Sequence, residues 1–375
     1  MPSKKLIILG GYGTYGKLIS ENLSRTNTNI TIVGRNAKKG EKFAHEIGVD
    51  FLQCDIANSA KLREIFKSAF LVINAVGPFL AGDYALPKMA IAQGCHYIDL
   101  GDGRDYVSKI TQLNDKAKEK GVFICVGAST SPAITSAMVT ELSFSRSKSF
   151  SPSFTRTERA KALTTKERLN IKIALNAGNK NQAGVSTFKS ILEYVGKEIP
   201  VWQNGRWVNL RGWGRAEFVN FPAPVGKRRV QLCDVPDLAL FPSLFNAQNV
   251  IFKAGVEITF FNYALSFLAK LKEIFPSIDL PNLAKPLVRL SGLFKSFGTF
   301  HGGLRVSVTD ANRNEKSLSL IAPQDGPQIP ASPAILLARK ILAEGVPQVG
   351  AYPCVGFLDF SAYKSHLSQF GINAV

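Results

Sequence analysis

Three glycines and four polar side chains carry most of the chemistry this sequence can offer. Gly11, Gly13 and Gly16 stand at Gly-x-Gly-x-x-Gly spacing within LIILGGYGTYGKLI, directly after an apolar run and ahead of a helical pattern. In that setting the first glycine permits a tight turn, the second lets a diphosphate approach bare backbone, and the third allows helix to touch strand. The helix start then offers unpaired N–H groups and the positive end of its dipole. Gly10, Thr14 and Tyr15 complete the expected cradle, and the chemistry it implies is dinucleotide binding.

Tyr84, Asp102, Arg104 and His301 are the candidates for moving a proton or orienting a substrate. Tyr84 precedes Lys88 at Tyr-x-x-x-Lys spacing, but Asp83 as a cap and Pro87 in the first turn also read as an ordinary helix start. Asp102 and Arg104 come from CHYIDLGDGRDY, where His96 and Tyr97 belong to a strand and the later residues to the loop after it. A capping aspartate and a solvated arginine are the plainer alternative for that pair. His301 sits between a phenylalanine and two glycines, where an imidazole could act as acid or base near neutrality or simply be structural. Ser129, Thr130 and Ser131 precede Pro132, so they either cap a helix or bind the carboxamide of a nicotinamide. No set of His, Cys or carboxylate residues has ligand spacing, so no metal is expected.

The choice of dinucleotide rests on TIVGRNAKKGEKF, at the end of the second apolar run. A carboxylate there would accept hydrogen bonds from a ribose, whereas a 2′-phosphate needs cations. No acid appears before Glu41, while Gly34 leads into Arg35, Asn36, Lys38 and Lys39. NADP is therefore expected over NAD, with Arg35 able to pair bidentately with the phosphate and Asn36 adding a hydrogen bond. Asp55 follows the third run, at the adenine end, and Ala75, Val76, Gly77 and Pro78 follow the fourth, beside the nicotinamide.

What must position these residues is a sheet. LIIL, ITIV, DFLQC, FLVINAV, HYIDL and VFICV alternate with helical patterns, and continuous apolar strands of this kind suit a parallel sheet covered on both faces. The fold class is α/β, a Rossmann-type doubly wound sheet over residues 1–132. An α+β domain with a largely antiparallel sheet follows over 133–332, carrying LNIKIAL and the pair LRVSV and SLSLIA. Residues 333–375 are expected to pack back on the first domain, beginning with the helix AILLARKILAEG.

The residues GGYGTYG, VGR, NAVGPF, GCHYIDLGDGR and GASTSPAITSAMV together resemble the saccharopine dehydrogenase-like proteins. VWQNGRW, CDVPDLALFP and PAILLARKIL are similar to a bacterial branch of that group. The resemblance implies an NADP-binding Rossmann domain followed by an α+β domain. It also implies a reductase-type activity on amino-acid conjugates, imines or lipid-linked carbonyl or enoyl groups. No residues binding saccharopine itself are matched, which leaves the reaction open.

Composition narrows the partners. The chain of 375 residues carries a net charge of +18, with 17 basic and 12 acidic residues up to Thr135 and 29 and 16 beyond it. Without a zinc finger or an aromatic RNA-binding stripe, the basic excess does not indicate nucleic acid. Five scattered cysteines argue for reduced thiols and, with no apolar span or signal sequence, for a cytoplasmic location. Two apolar helical stretches stand out. EITFFNYALSFLAKLKE has one narrow polar stripe and is expected to be buried on most sides, while NLAKPLVRLSGLFKSFG has a basic amphipathic pattern. They form domain core or a homodimer interface, or else contact an anionic membrane and admit a lipid-like substrate. An NADP-dependent oxidoreductase acting on a small-molecule substrate is the leading expectation. A non-catalytic NADP(H) sensor, and a peripheral membrane protein with a structural nucleotide, are the alternatives.

Overall fold

The computed structural model describes residues 4–27, 29–77, 83–143, 168–181, 185–275, 277–294 and 296–375. Within the first unit, residues 1–134 and 327–359, every expected apolar run becomes a strand. The order along the chain is β1 (Leu6–Leu9), α1 (Thr14–Ser24), β2 (Ile30–Gly34), α2 (Ala37–Ile47), β3 (Asp50–Gln53), α3 (Ser59–Lys67), β4 (Leu71–Asn74), α4 (Ala85–Gln93), β5 (His96–Asp99), α5 (Arg104–Ser108), α6 (Asn114–Glu119) and β6 (Phe123–Val126). Entering the second unit, the chain forms α7 (Thr135–Ser143), β7 (Leu169–Ala177), α8 (Val185–Tyr194), β8 (Glu198–Gln203), β9 (Arg206–Arg211), β10 (Glu217–Phe221), β11 (Gly226–Leu232), α9 (Asp237–Leu244), β12 (Ala247–Val256), α10 (Thr259–Ile274), α11 (Ala284–Leu293), β13 (Gly302–Thr309) and β14 (Glu315–Ala322). It then returns for α12 (Gln328–Glu344) and β15 (Gly350–Pro353), and ends with α13 (Phe360–Ser368) and β16 (Asn373–Ala374).

The first sheet has seven strands in the order β15-β6-β5-β4-β1-β2-β3, all parallel. The order reverses between β1 and β4, where the crevice for a ligand lies in open α/β sheets. β1, β4 and β6 are buried at every residue, the consequence of helices on both faces. α12 belongs to this core because its small and branched residues, Ala331, Ala334, Ile335, Ala338 and Ile341, pack with Ile19 and Leu23 of α1. Lys4 closes its last turn, donating to the carbonyl of Leu342 at 2.8 Å, as a cation at a helix C-terminus should.

The returning segment is shorter than the sequence suggests. It begins at Pro327 and stops at Asp359; residues 360–375 belong to the second unit instead. The reason is pairing: Asn373 and Ala374 of β16 add antiparallel to Ile321 and Leu320 of β14, and Leu367 and Ile372 are buried there.

The second sheet has nine strands, the main path running β10-β11-β12-β7-β13-β14-β16, with the hairpin β8–β9 attached through β12. Only the β12–β7 pair is parallel, so the sheet is mixed and mostly antiparallel. Next to it, Glu257 ties three segments together. Its carboxylate accepts from the amide of Asn179 (2.9 Å), the amide and hydroxyl of Thr299 (2.7 and 2.8 Å) and Arg228 (3.3 Å). Burial pushes this carboxyl up, but those amide and hydroxyl donors, with Arg228, outweigh it and hold it below the usual range.

Glu257→Ala should therefore lower the stability of the protein by about 2–4 kcal/mol, because it leaves two amides and a guanidinium without their acceptor. The depressed carboxyl contributes stability above its unfolded value near pH 4, and that contribution fades as pH falls through the lower folded value. Denaturant titrations from pH 7 downward should show wild type losing this advantage over the variant in acid.

Candidate functional site

The site is built at the switch point, from the turn between β1 and α1. Gly10, not Gly11, adopts the left-handed backbone there, with φ of +72°. Gly11 is needed for contact instead: a Cβ on it would lie 2.6 Å from Ile32. At Gly16 a Cβ would fall 2.1 Å from the carbonyl oxygen of Gly10, so α1 can approach β1 this closely only with hydrogen at that position. Gly13 differs from both. Its backbone is extended (φ −76°, ψ 180°), and a Cβ would meet nothing nearer than the Gly10 carbonyl oxygen at 3.1 Å. It precedes Thr14, the first residue of α1; no side chain caps that helix, and no acid stands in its first turn. An end so left bare offers its unpaired N–H groups to an anion. Thr14 and Tyr15 lie in that first turn.

At the end of β2, Arg35 extends into solvent with its side chain 79% exposed, 4.0 Å from the carboxylate of Asp55. The structure thus brings together two residues expected at the adenosine end; a pair this exposed contributes under about 1 kcal/mol and leaves the guanidinium available. Lys38 and Lys39 are also exposed. Asn36 has a second role. Its Oδ1 accepts from the amide of Lys39 at 2.9 Å and so caps α2, which leaves the Nδ2 group as the donor it could offer a phosphate. The residue overlooked in the sequence is Tyr12. Its hydroxyl accepts from the Asn36 amide at 2.7 Å, and its ring lies against Gly34, where a Cβ would fall 2.3 Å from it. The glycine at the end of β2 was the available signal, since an aromatic side chain in the loop must have somewhere flat to rest.

Beyond β4, Asn74 is buried and shapes the loop by accepting from the amide of Val76 at 3.0 Å and donating to Tyr97 Oη at 3.1 Å. Val76 covers Gly10, and Ala75 and Gly77 flank it, half-buried. Pro78 lies outside the described residues, as do residues 79–82.

The proton-transfer candidates separate. Tyr84 is only 3% exposed, and its hydroxyl donates to the carbonyl of Tyr106 at 2.7 Å while its ring stacks on that residue's ring. Burial pushes the phenol further up, so Tyr84 is a packing residue and not a proton donor to a ligand. Arg104 is buried at the start of α5. Asp102, two residues earlier, is exposed to solvent, and the protein packed around its loop pushes its carboxyl up. His301 is in the second unit, just ahead of β13, its amide donating to Thr299 Oγ1 at 3.0 Å.

Asp99, at the end of β5, holds these loops. Fully buried, its carboxylate accepts from Tyr106 Oη (2.5 Å), the amide of Gly101 (2.9 Å) and the amide of Gly127 (3.1 Å). One side chain thereby fixes the loops after β5 and β6. Burial dominates its titration and pushes it up to about 6 in spite of the three donors.

The order β3-β2-β1-β4-β5-β6, a glycine turn at the switch point and an uncapped helix behind it define a dinucleotide-binding Rossmann domain. Residues 6–125 match the family model described as the saccharopine dehydrogenase NADP binding domain, which supports NADP as the cofactor. Saccharopine dehydrogenase-like oxidoreductase from Homo sapiens is 31% identical over 145 residues, covering 33% of this chain and 33% of its own length. The protein of the same name from Rattus norvegicus is 30% identical over 145 residues, covering 33% of this chain and 34% of its own. A lipid droplet localized protein of Caenorhabditis elegans is 28% identical over 133 residues, covering 32% and 31%. The matched segment thus spans about a third of the length of these relatives. Apo saccharopine dehydrogenase (L-Glu forming) from Saccharomyces cerevisiae superposes with a TM-score of 0.66 at 12% identity, over 99% of both chains, and so shares the two-domain fold.

Two substitutions should separate scaffold from site. Gly16→Ala should lower stability by about 2 kcal/mol or more, its methyl group meeting backbone that cannot yield. Gly13→Val should cost less, about 1–2 kcal/mol, for its 3.1 Å approach to the Gly10 carbonyl oxygen and the loss of a glycine cap, yet weaken NADPH binding at least about tenfold by covering the bare amides. Calorimetric titration beside thermal unfolding checks both; unchanged affinity in Gly13→Val would remove the diphosphate from this turn. For Asp99 the sign is opposite to that of Glu257. A carboxyl raised to about 6 from an unfolded value near 3.9 favours the fold below pH 4 and loses up to about 3 kcal/mol as pH rises through 6. Asp99→Asn should flatten that slope in denaturant titrations across pH 4–7.

Proposed function

We propose that the protein is an NADP-dependent oxidoreductase that transfers hydride to or from a C=O, C=N or C=C bond of an amino-acid or imine conjugate, or of a lipid-linked carbonyl or enoyl compound. The observation that carries the reading is the uncapped start of α1 over Gly13, at the point where the strand order reverses. Bound there, NADP would supply the hydride chemistry. The chain's own residues do the rest. The first turn of α1 binds the diphosphate. Arg35, with Lys38 and Lys39 beside it, meets the 2′-phosphate with positive charge and makes the cofactor choice. Asp102, accessible to solvent and raised toward neutrality, can hold a proton at its carboxyl and hand it to a substrate atom. Arg104 follows, buried at the start of α5.

A second reading is a protein that senses the NADP(H) ratio without turnover. It is favoured by one observation: the phenol of Tyr84, the proton donor suggested by its spacing from Lys88, is spent on a backbone carbonyl. Loss of reduced-nicotinamide absorbance with a panel of ketones, imines and enoyl thioesters decides between the two. Turnover abolished by Asp102→Asn with cofactor affinity retained supports the enzyme; silence across the panel, with tight NADPH binding, supports the sensor.

Arg35→Ala should raise the Kd for NADPH by about 10- to 100-fold, the contribution of a charge-assisted contact, and change that for NADH less than about threefold. Fluorescence titration of the two reduced cofactors measures the ratio directly.

A further inference from the structure

The sequence pattern of α10 predicts a helix buried on most sides, with one polar stripe facing out. The structure divides that stripe: Thr259 and Lys270 are exposed, while Asn262 and Ser266 face the protein. Asn262, in the polar stripe, is fully buried; its Oδ1 accepts from the amide of Val256 at 3.1 Å and its Nδ2 donates to that residue's carbonyl at 2.7 Å. Ser266, one turn on, donates to Gln231 Oε1 at 2.5 Å, and Gln231 donates to the carbonyl of Asn262 at 2.9 Å. The helix is thus moored to its own sheet by hydrogen bonds, through the face that amphipathic helices normally give to water.

Leu265, Leu268 and Ala269 pack inward against Leu192, Val195 and Trp213, and a second apolar face is turned out. Phe260, Tyr263, Phe267 and Ile274, at spacings of three, four and seven, share one face and are 67, 54, 65 and 69% exposed. The ridge continues through the ring contacts Phe261–Phe294 (5.3 Å) and Phe294–Phe297 (6.3 Å) to Phe297, 64% exposed. A contiguous exposed patch of this kind marks an interaction surface.

Charge identifies the partner. Arg229 stacks on Tyr263 with its guanidinium carbon 4.1 Å from the ring centroid, and Lys270 is exposed on the helix between Phe267 and Ile274. Lys285 and Arg289 are exposed on α11. Glu273, the acid of α10, is paired with Arg211 at 3.0 Å. A chain of net charge +18 repels a second copy, whereas aromatic side chains interleaved with cations match the boundary between anionic headgroups and acyl chains. Sixteen residues are too few to cross a bilayer, and among the described residues no helix is long and apolar enough to do so. We propose that the outward face of α10, with Arg229 and Lys270 beside it, docks this protein flat onto an anionic lipid bilayer. The proposal is independent of the redox reading.

The test is co-sedimentation of the full chain with phosphatidylcholine vesicles, with and without phosphatidylglycerol, in low and high salt. Wild type should pellet with the anionic vesicles in low salt and be at least about tenfold less bound in high salt or on neutral vesicles. Phe260→Ser/Phe267→Ser should weaken binding at least about tenfold while retaining the wild-type thermal midpoint, since both side chains stand in solvent. Phe267→Trp should gain a blue-shifted emission component with anionic vesicles, beyond any change from the native tryptophans. Failure of wild type to pellet, or equal pelleting of the double variant, would overturn the proposal. So would sedimentation velocity showing a dimer that dissociates in the double variant, since a second copy would then cover this face.

Discussion

The architecture of the first unit depends on how closely α1 can approach β1. The carbonyl of Gly10 points at the third position of the helix, and only a hydrogen fits between them. That contact fixes where the helix begins, and therefore where its unpaired amides stand relative to the carboxyl edge of the sheet. An anion site built from backbone has no side chains to adjust, so its placement must come from packing. The glycines, Val76 over Gly10 and Ile32 against Gly11 supply that packing from three adjacent strands and loops.

A second layer of organisation is polar and buried. Asp99 joins the loops after β5 and β6 as Glu257 joins three segments of the other unit: in each case one carboxylate gathers backbone donors that a loop would otherwise leave open. The two titrate in opposite directions because of solvation. Asp99 is wholly enclosed, so burial dominates; Glu257 retains some contact with water and has Arg228 beside it.

Much of this could be read from the residues. Six apolar runs became β1 to β6, the glycine turn fell where its spacing indicated, and the pair around TDANRNEK became β13 and β14. These features are local, governed by periodicity and backbone sterics. What escaped was set by distant partners. Tyr84 looked like a proton donor until α5 supplied a carbonyl, and the capping of α2 by the Oδ1 of Asn36 was not foreseen. α10 was misread for a related reason: helical periodicity reveals that two faces differ, but not which one meets the protein. Gln231 and the edge of β12 decided that, and neither adjoins the helix pattern in sequence.

The chain crosses between its units three times, at residues 134, 326 and 359, so each unit is completed by a piece made late. During synthesis the first sheet lacks its edge strand β15, and the core lacks α12, until residues 327–353 have emerged. The dinucleotide turn is made well before α12, the helix that packs behind α1. The first unit is consequently completed only after most of the second has been made. In the interval the nascent protein must be kept from associating through strand edges that its own C-terminal residues will later cover.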